Sequence, residues 1–139
     1  MIKRLHHVAI AVADLDASSS VWGPDGLGLA DGGSEHVPSQ KTDVRMFPVG
    51  EESRVELVAP ASDDSPIARH LEKRGPGIHH LCFEVDDLRA EMKRLQAAGV
   101  RFTSDEPSPG AHGSLVAFLH PKSTGGVLIE LNEFPEHGP

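Results

Sequence analysis

The chain has a single cysteine, no long apolar run and no excess of positive charge, and each shortage removes a class of protein. Cys82 alone excludes an internal disulfide, and its place within an apolar run marks a buried thiol suited to a reducing compartment. No apolar stretch approaches the roughly 20 residues of a membrane span, and Lys3 and Arg4 lead into a strand pattern rather than a signal-peptide core. A soluble cytoplasmic protein with no membrane partner is expected. Lys and Arg number 13 against 21 Asp and Glu, for a formal net charge of −8, so the basic face that a phosphate backbone requires is missing and nucleic acid is excluded as a partner. The same charge repels anionic substrates at long range, so an anion site here needs a local cation: a metal, Lys122 or Arg74. With 139 residues the chain has the length of one domain.

What is present is a repeat. His7-Val8-Ala9-Ile10-Ala11-Val12-Ala13-Asp14-Leu15 returns as His80-Leu81-Cys82-Phe83-Glu84-Val85-Asp86-Asp87-Leu88, with identical residues at 7/80, 12/85, 14/87 and 15/88, an offset of 73 (80 − 7). The same offset pairs His6 with His79 and Gly26 with Gly99. Self-similarity of this length indicates a duplicated module. Each half contains too few residues to be more than marginally stable alone, so the two are expected to share one domain: module one about 4–60, a linker helix about 65–74 and module two about 77–133.

Within each copy the period is two. Val8, Ile10 and Val12 face one way and His7, Ala9 and Ala11 the other; Leu81, Phe83 and Val85 form the bulky face of the second copy, opposite His80, Cys82 and Glu84. A bulky apolar face wants a covering helix. Asp86 or Asp87 can cap one whose Leu88, Met92 and Leu95 share a face, with Gly99 as its stop; Asp14 can cap a shorter one that carries Leu15 and Trp22 and ends at Pro24. Ser65-Pro66 opens the linker helix, with Ile67 and Leu71 as its stripe before Gly75. Further strands are expected near Leu27–Leu29, Val44–Val49, Arg54–Val58, Val100–Thr103, Leu115–Leu119 and Val127–Leu131, and a loop from Asp105 to Gly113. Each module then reads βαβββ in an α+β chain.

The chemistry concentrates in four residues. Glu56 and Glu130 each sit inside an apolar strand near its end, where a buried carboxylate is costly unless paired or bound to a metal. With His7 and His80 they occupy matching positions in the two copies, the glutamates being 74 apart (130 − 56). Two imidazoles and two carboxylates suit one borderline divalent ion with positions open for substrate oxygens, and such an ion stabilises an enolate. Among the other histidines, His6 and His79 alternate away from these ligands, His36, His70, His112 and His137 lie in polar surroundings, and His120 is a candidate to support the site from behind. Glu84 shares the face of His80 but can equally reach solvent, and Cys82 reads as packing.

Taken together, the repeat and the βαβββ pattern resemble the vicinal oxygen chelate superfamily. Within it, Asp64-Ser65-Pro66-Ile67-Ala68, Gly77-Ile78-His79-His80-Leu81, Asp105-Glu106-Pro107 and the run from Phe118 to Leu131 resemble the methylmalonyl-CoA epimerases. The resemblance implies an open curved mixed sheet around one metal site, a homodimer, an acyl-CoA substrate and His7, Glu56, His80 and Glu130 as ligands of one divalent ion: Co2+ first, with Ni2+, Zn2+ or Mn2+ as alternatives. It further implies R/S interconversion of methylmalonyl-CoA through α-proton abstraction. Some epimerases carry a catalytic glutamate where this chain aligns Val44, with Asp43 beside it. The catalytic role is therefore expected at Glu130 or Glu56, with Asp43 as a further candidate base if the alignment slips by one, and Lys122 and Ser123 are candidates for substrate binding. The competing readings are a glyoxalase-I-like lyase, an epimerase that also takes ethylmalonyl-CoA, and a bleomycin-resistance-like binder without metal.

Overall fold

Alternation of large and small side chains places every strand that matters for the site. The structure, a computed structural model, describes residues 1–135. The chain divides into two compact units: His7–His79, and Met1–His6 with the chain from His80 onward. The linker helix thus goes with the first unit, and the first six residues go with the second.

In the unit His7–His79, the part of β1 (Ile2–Ala11) from His7 onward is followed by α1 (Leu15–Trp22), β2 (Ser34–Val37), β3 (Thr42–Val49), β4 (Ser53–Pro60) and α2 (Pro66–Arg74). The strand order is β2-β3-β4-β1, with β1 parallel to β4 and the other pairs antiparallel. Ile10, Val12, Phe47 and Leu57 pack with Leu15 and Trp22 of α1, so the bulky face of the repeat is the one the helix covers. Asp14 accepts a hydrogen bond from the Ala17 N–H at 3.1 Å, which satisfies one of the donors a helix start leaves open. Ser65 does the same for Ile67 at the start of α2.

The second unit repeats the plan with β5 (Gly77–Val85, from His80 onward), α3 (Leu88–Ala97), β6 (Ser108–Pro109), β7 (Leu115–Leu119) and β8 (Ile129–Glu133), in the order β5-β8-β7-β6. Here β5 and β8 are parallel and the remaining pairs antiparallel, as in the first unit. Val85, Leu88, Met92, Ala117, Leu119 and Leu131 form its core, with Phe83 and Leu95 against them. Of the two candidate caps it is Asp87 that accepts from the Ala90 N–H, the residue offset by 73 (87 − 14) from Asp14. Both modules are βαβββ and the chain is α+β, as expected.

Three local expectations fail. Leu27–Leu29 is not a strand: its N–H groups donate to Val21, Gly23 and Trp22 carbonyls at the end of α1, leaving none for a ladder, and the second strand of the module forms instead at Ser34–Val37. Val100–Thr103 makes only the single bridge Phe102 to Leu119. The loop from Asp105 to Gly113 contains the short edge strand β6, where Pro109 pairs with Leu115. Among the described residues no helix is long and apolar enough to cross a membrane.

The paired glycines of the repeat have different jobs. Gly99 adopts φ +91°, a left-handed conformation that stops α3. Gly26 is instead in close contact, since a Cβ there would lie 2.0 Å from the Val21 carbonyl oxygen. Gly26→Ala is therefore expected to lower the stability measured by urea unfolding by about 1–3 kcal/mol through overpacking. Leu88, the first residue of α3, is fully buried, and Leu88→Ala is expected to cost about 2–5 kcal/mol in the same measurement.

Candidate metal centre

In each unit the strand face turned away from the helix carries a buried histidine beside a buried glutamate. In the unit His7–His79, β1 runs parallel to β4 with Ala9 in register with Glu56, so His7, Ala9 and Glu56 share a face. His7 Nε2 lies 3.7 Å from Glu56 Oε1, and both residues are about 95% buried. In the second unit Cys82 is in register with Glu130, and His80 Nε2 is 3.1 Å from Glu130 Oε1, again with both residues buried. The two pairs are equivalent. In both, the histidine precedes by two residues the small, fully buried side chain, Ala9 or Cys82, that sits beside the glutamate. The register is the same in both units, so the glutamates stand 74 apart where the histidines stand 73 apart because the chain from Cys82 to Glu130 (130 − 82 = 48) is one residue longer than that from Ala9 to Glu56 (56 − 9 = 47).

The residues around each pair differ. Met46 of β3 is in register with Glu56, whereas Phe118 of β7 is in register with Glu130 and sets the edge of its ring against His80, centroids 5.5 Å apart. Phe118 thereby limits the rotations open to the imidazole. Each pair offers one imidazole nitrogen and one carboxylate oxygen, a donor set that fits a borderline divalent cation and that would offset the cost of burying the carboxylate.

Val44 is in register with Val58 and lies on the Glu56 face, buried and unable to carry a proton. Asp43 is on the opposite face, where its carboxylate meets His36 Nδ1 at 2.8 Å, so strand alternation removes it as a candidate base. Ser123 is exposed, and its Oγ accepts from the Arg101 N–H at 3.0 Å; Lys122 is exposed in the same 3-10 turn, Pro121–Ser123. His120 caps that turn through Nδ1, which accepts from the Lys122 N–H.

The remaining histidines have other partners. His6 is buried against the Phe134 ring, and His79 meets His70 edge-on at 4.8 Å. Burial, with the nearby Arg74 charge, holds the His70 imidazole below its ordinary pKa. His112 is held at φ +57° in the loop before β7, and His137 lies outside the described residues.

Sequence reasoning missed two features of the second unit. Glu84 does not reach solvent: it is buried, with Arg4 Nη1 donating to it at 2.9 Å and Lys3 Nζ at 3.4 Å. Alternation placed Glu84 on the right face, but partners 80 residues away leave no local signal. Asn132, in register with Glu84, is also buried, and a polar residue that follows the Glu130 motif carries no local signal of that burial.

The chain matches the family model of the glyoxalase/bleomycin resistance protein/dioxygenase superfamily over residues 6–118. It is 44% identical over 135 residues to the ethylmalonyl-CoA/methylmalonyl-CoA epimerase of Cereibacter sphaeroides, covering 96% of this chain and 99% of the relative. Among solved structures it is similar to methylmalonyl-CoA epimerase from Mycobacterium tuberculosis, with 41% identity, TM-score 0.91, and coverage of 96% of this chain and 89% of that one. It is likewise similar to a methylmalonyl-CoA epimerase in complex with methylmalonyl-CoA and NH4+, at 33% identity and TM-score 0.92, with coverage of 98% and 97%. The duplicated βαβββ modules are thus those of the vicinal oxygen chelate fold, and the chain belongs to the methylmalonyl-CoA epimerase family of the glyoxalase/bleomycin resistance protein/dioxygenase superfamily.

Proposed function

We propose that this protein interconverts the R and S epimers of methylmalonyl-CoA, that His7, Glu56, His80 and Glu130 together hold one divalent metal ion, and that Glu130 and Glu56 carry the protons. The observation that supports the substrate most strongly is the match, along 98% of the chain, to an epimerase solved with methylmalonyl-CoA. The ligand set is supported by the equivalence of the two buried His–Glu pairs and by their donor chemistry. On this reading the two modules work as a single domain, as a cytoplasmic homodimer, with Co2+ as the first metal to test and Ni2+, Zn2+ or Mn2+ after it.

When bound, the ion supplies Lewis acidity that stabilises a developing enolate by several kcal/mol. The chain's own residues do the rest. Glu130 takes the α-proton: the C–H bond breaks, its electron pair moves into the thioester enolate, and the proton goes to a Glu130 carboxyl oxygen. Glu56, from the other module and carrying a proton, returns it to the opposite face, which inverts the centre. Valine at position 44 leaves these glutamates as the proton carriers. Lys122 supplies the positive charge that a −8 chain otherwise lacks for a carboxylate or phosphate, and the Ser123 hydroxyl, although it accepts from Arg101, still has its hydrogen to donate.

The decisive measurement is solvent deuterium exchange into methylmalonyl-CoA with cobalt present. The wild-type protein is expected to exchange the α-proton and Glu130→Gln to lose exchange by about 10^2-fold or more while still binding metal; exchange at the wild-type rate in the metal-loaded variant removes Glu130 as the base. Chelation is expected to abolish activity and cobalt to restore it, with His7→Ala and His80→Ala weakening cobalt binding in calorimetry. A protein that takes up no divalent ion and gains nothing from cobalt sinks the metal reading in favour of a binder. Turnover of the glutathione hemithioacetal of methylglyoxal in place of methylmalonyl-CoA would assign the lyase reaction instead.

A further inference from the structure

We infer that Arg101, with His120, Lys122 and Ser123 around it, forms a phosphate site for the coenzyme end of the substrate; this rests on the reading of an acyl-CoA as substrate. One turn brings the four residues together. Arg101 donates its N–H to Ser123 Oγ at 3.0 Å and its carbonyl accepts from the His120 N–H at 2.8 Å, while His120 Nδ1 accepts from the Lys122 N–H at 3.1 Å. Alternation then aims Arg101. Phe102 bridges Leu119, and both pack with Leu88 and Met92 of α3, so Arg101 and His120 lie on the opposite face, the one that carries Phe118 and Glu130.

The donors left over at this turn are those an oxyanion takes. Among the described residues neither the Arg101 guanidinium nor the Lys122 ammonium meets a carboxylate, in a chain with 21 acidic residues against 13 Lys and Arg. Asp105 and Glu106, the next acids along the chain, line a separate hollow with Arg89 and Lys93 of α3. The Ser123 hydroxyl keeps its hydrogen, and a neutral imidazole that accepts at Nδ1 carries its own on Nε2. A planar fork, a point charge and two neutral donors suit a phosphate. Distance selects the phosphate over the substrate's own carboxylate. Arg101 stands opposite His120, two residues beyond Phe118 and one strand further from Glu130 than β7, which puts its Cα roughly 12 Å from that of Glu130. The malonyl carboxylate is bonded to the carbon that loses the proton and stays near Glu130, whereas the phosphates are held off by the long pantetheine arm.

Calorimetry with free CoA and kinetics with two thioesters test this. Arg101→Gln is expected to weaken CoA binding and to raise KM for methylmalonyl-CoA, each by about tenfold, with Arg101→Lys in between. Methylmalonyl-pantetheine has the reacting centre without phosphate, and its kcat/KM is expected to be the same in Arg101→Gln as in wild type. Dephospho-CoA separates the two phosphate sources. If Arg101→Gln binds it as wild type does, the contact is to the 3′-phosphate, and if the deficit persists it is to the diphosphate; either result supports the site. Wild-type affinity for CoA in Arg101→Gln overturns the inference, and so does an equal loss on both thioesters, because the side chain then acts on the reacting end or on the fold. A wild-type protein that binds CoA through Arg101 yet turns over neither thioester removes the epimerase reading and leaves the site standing.

Discussion

A carboxylate buried on a sheet face has to be met by something, and in this chain that requirement is imposed twice. Glu56 and Glu130 sit among apolar neighbours in strands whose other face is packed against a helix. Neither position tolerates an isolated charge, and in each module the group provided is an imidazole on the parallel neighbouring strand. The space for it comes from a small residue. Ala9 and Cys82 stand in register with the glutamates, and a bulkier side chain at either would push carboxylate and imidazole apart.

The division of each strand into two faces governs the rest. One face is bulky and is covered by α1 or α3, each started by an aspartate at the equivalent position of the repeat. That packing holds the strands rigid, so the other face can present polar groups with little freedom, which is what a metal or proton-transfer site requires. The second module spends more of this face on charge than the first. Its Glu84 is a second buried carboxylate on that face, offset by Arg4 and Lys3, and Asn132 stands in register with it, two residues along β8 from Glu130.

Duplication therefore explains the donors but not the differences. Phe118 braces His80, whereas Met46 occupies the corresponding place near Glu56. An aromatic edge fixes an imidazole more firmly than a flexible thioether stem fixes a carboxylate. The two modules consequently offer matched donor pairs with unequal freedom.

The amino-acid sequence by itself determined the duplication, the helix caps at Asp14, Ser65 and Asp87, the covering helix Leu88–Ala97, and the pairing of a histidine with an in-strand glutamate in each copy. These rest on alternation, capping and repeat spacing, which act between residues close in the chain or equivalent by descent of one module from the other. Tertiary structure decided what depends on distant partners. The N–H groups of Leu27–Leu29 went to the end of α1 instead of a ladder, Asp43 was turned to His36 and away from Glu56, and Glu84 found Arg4. Register, too, was decided there: the parallel pairing of β1 with β4 and of β5 with β8 sets which small residue stands beside each glutamate, and no local pattern encodes it because the hydrogen bonds join segments about fifty residues apart.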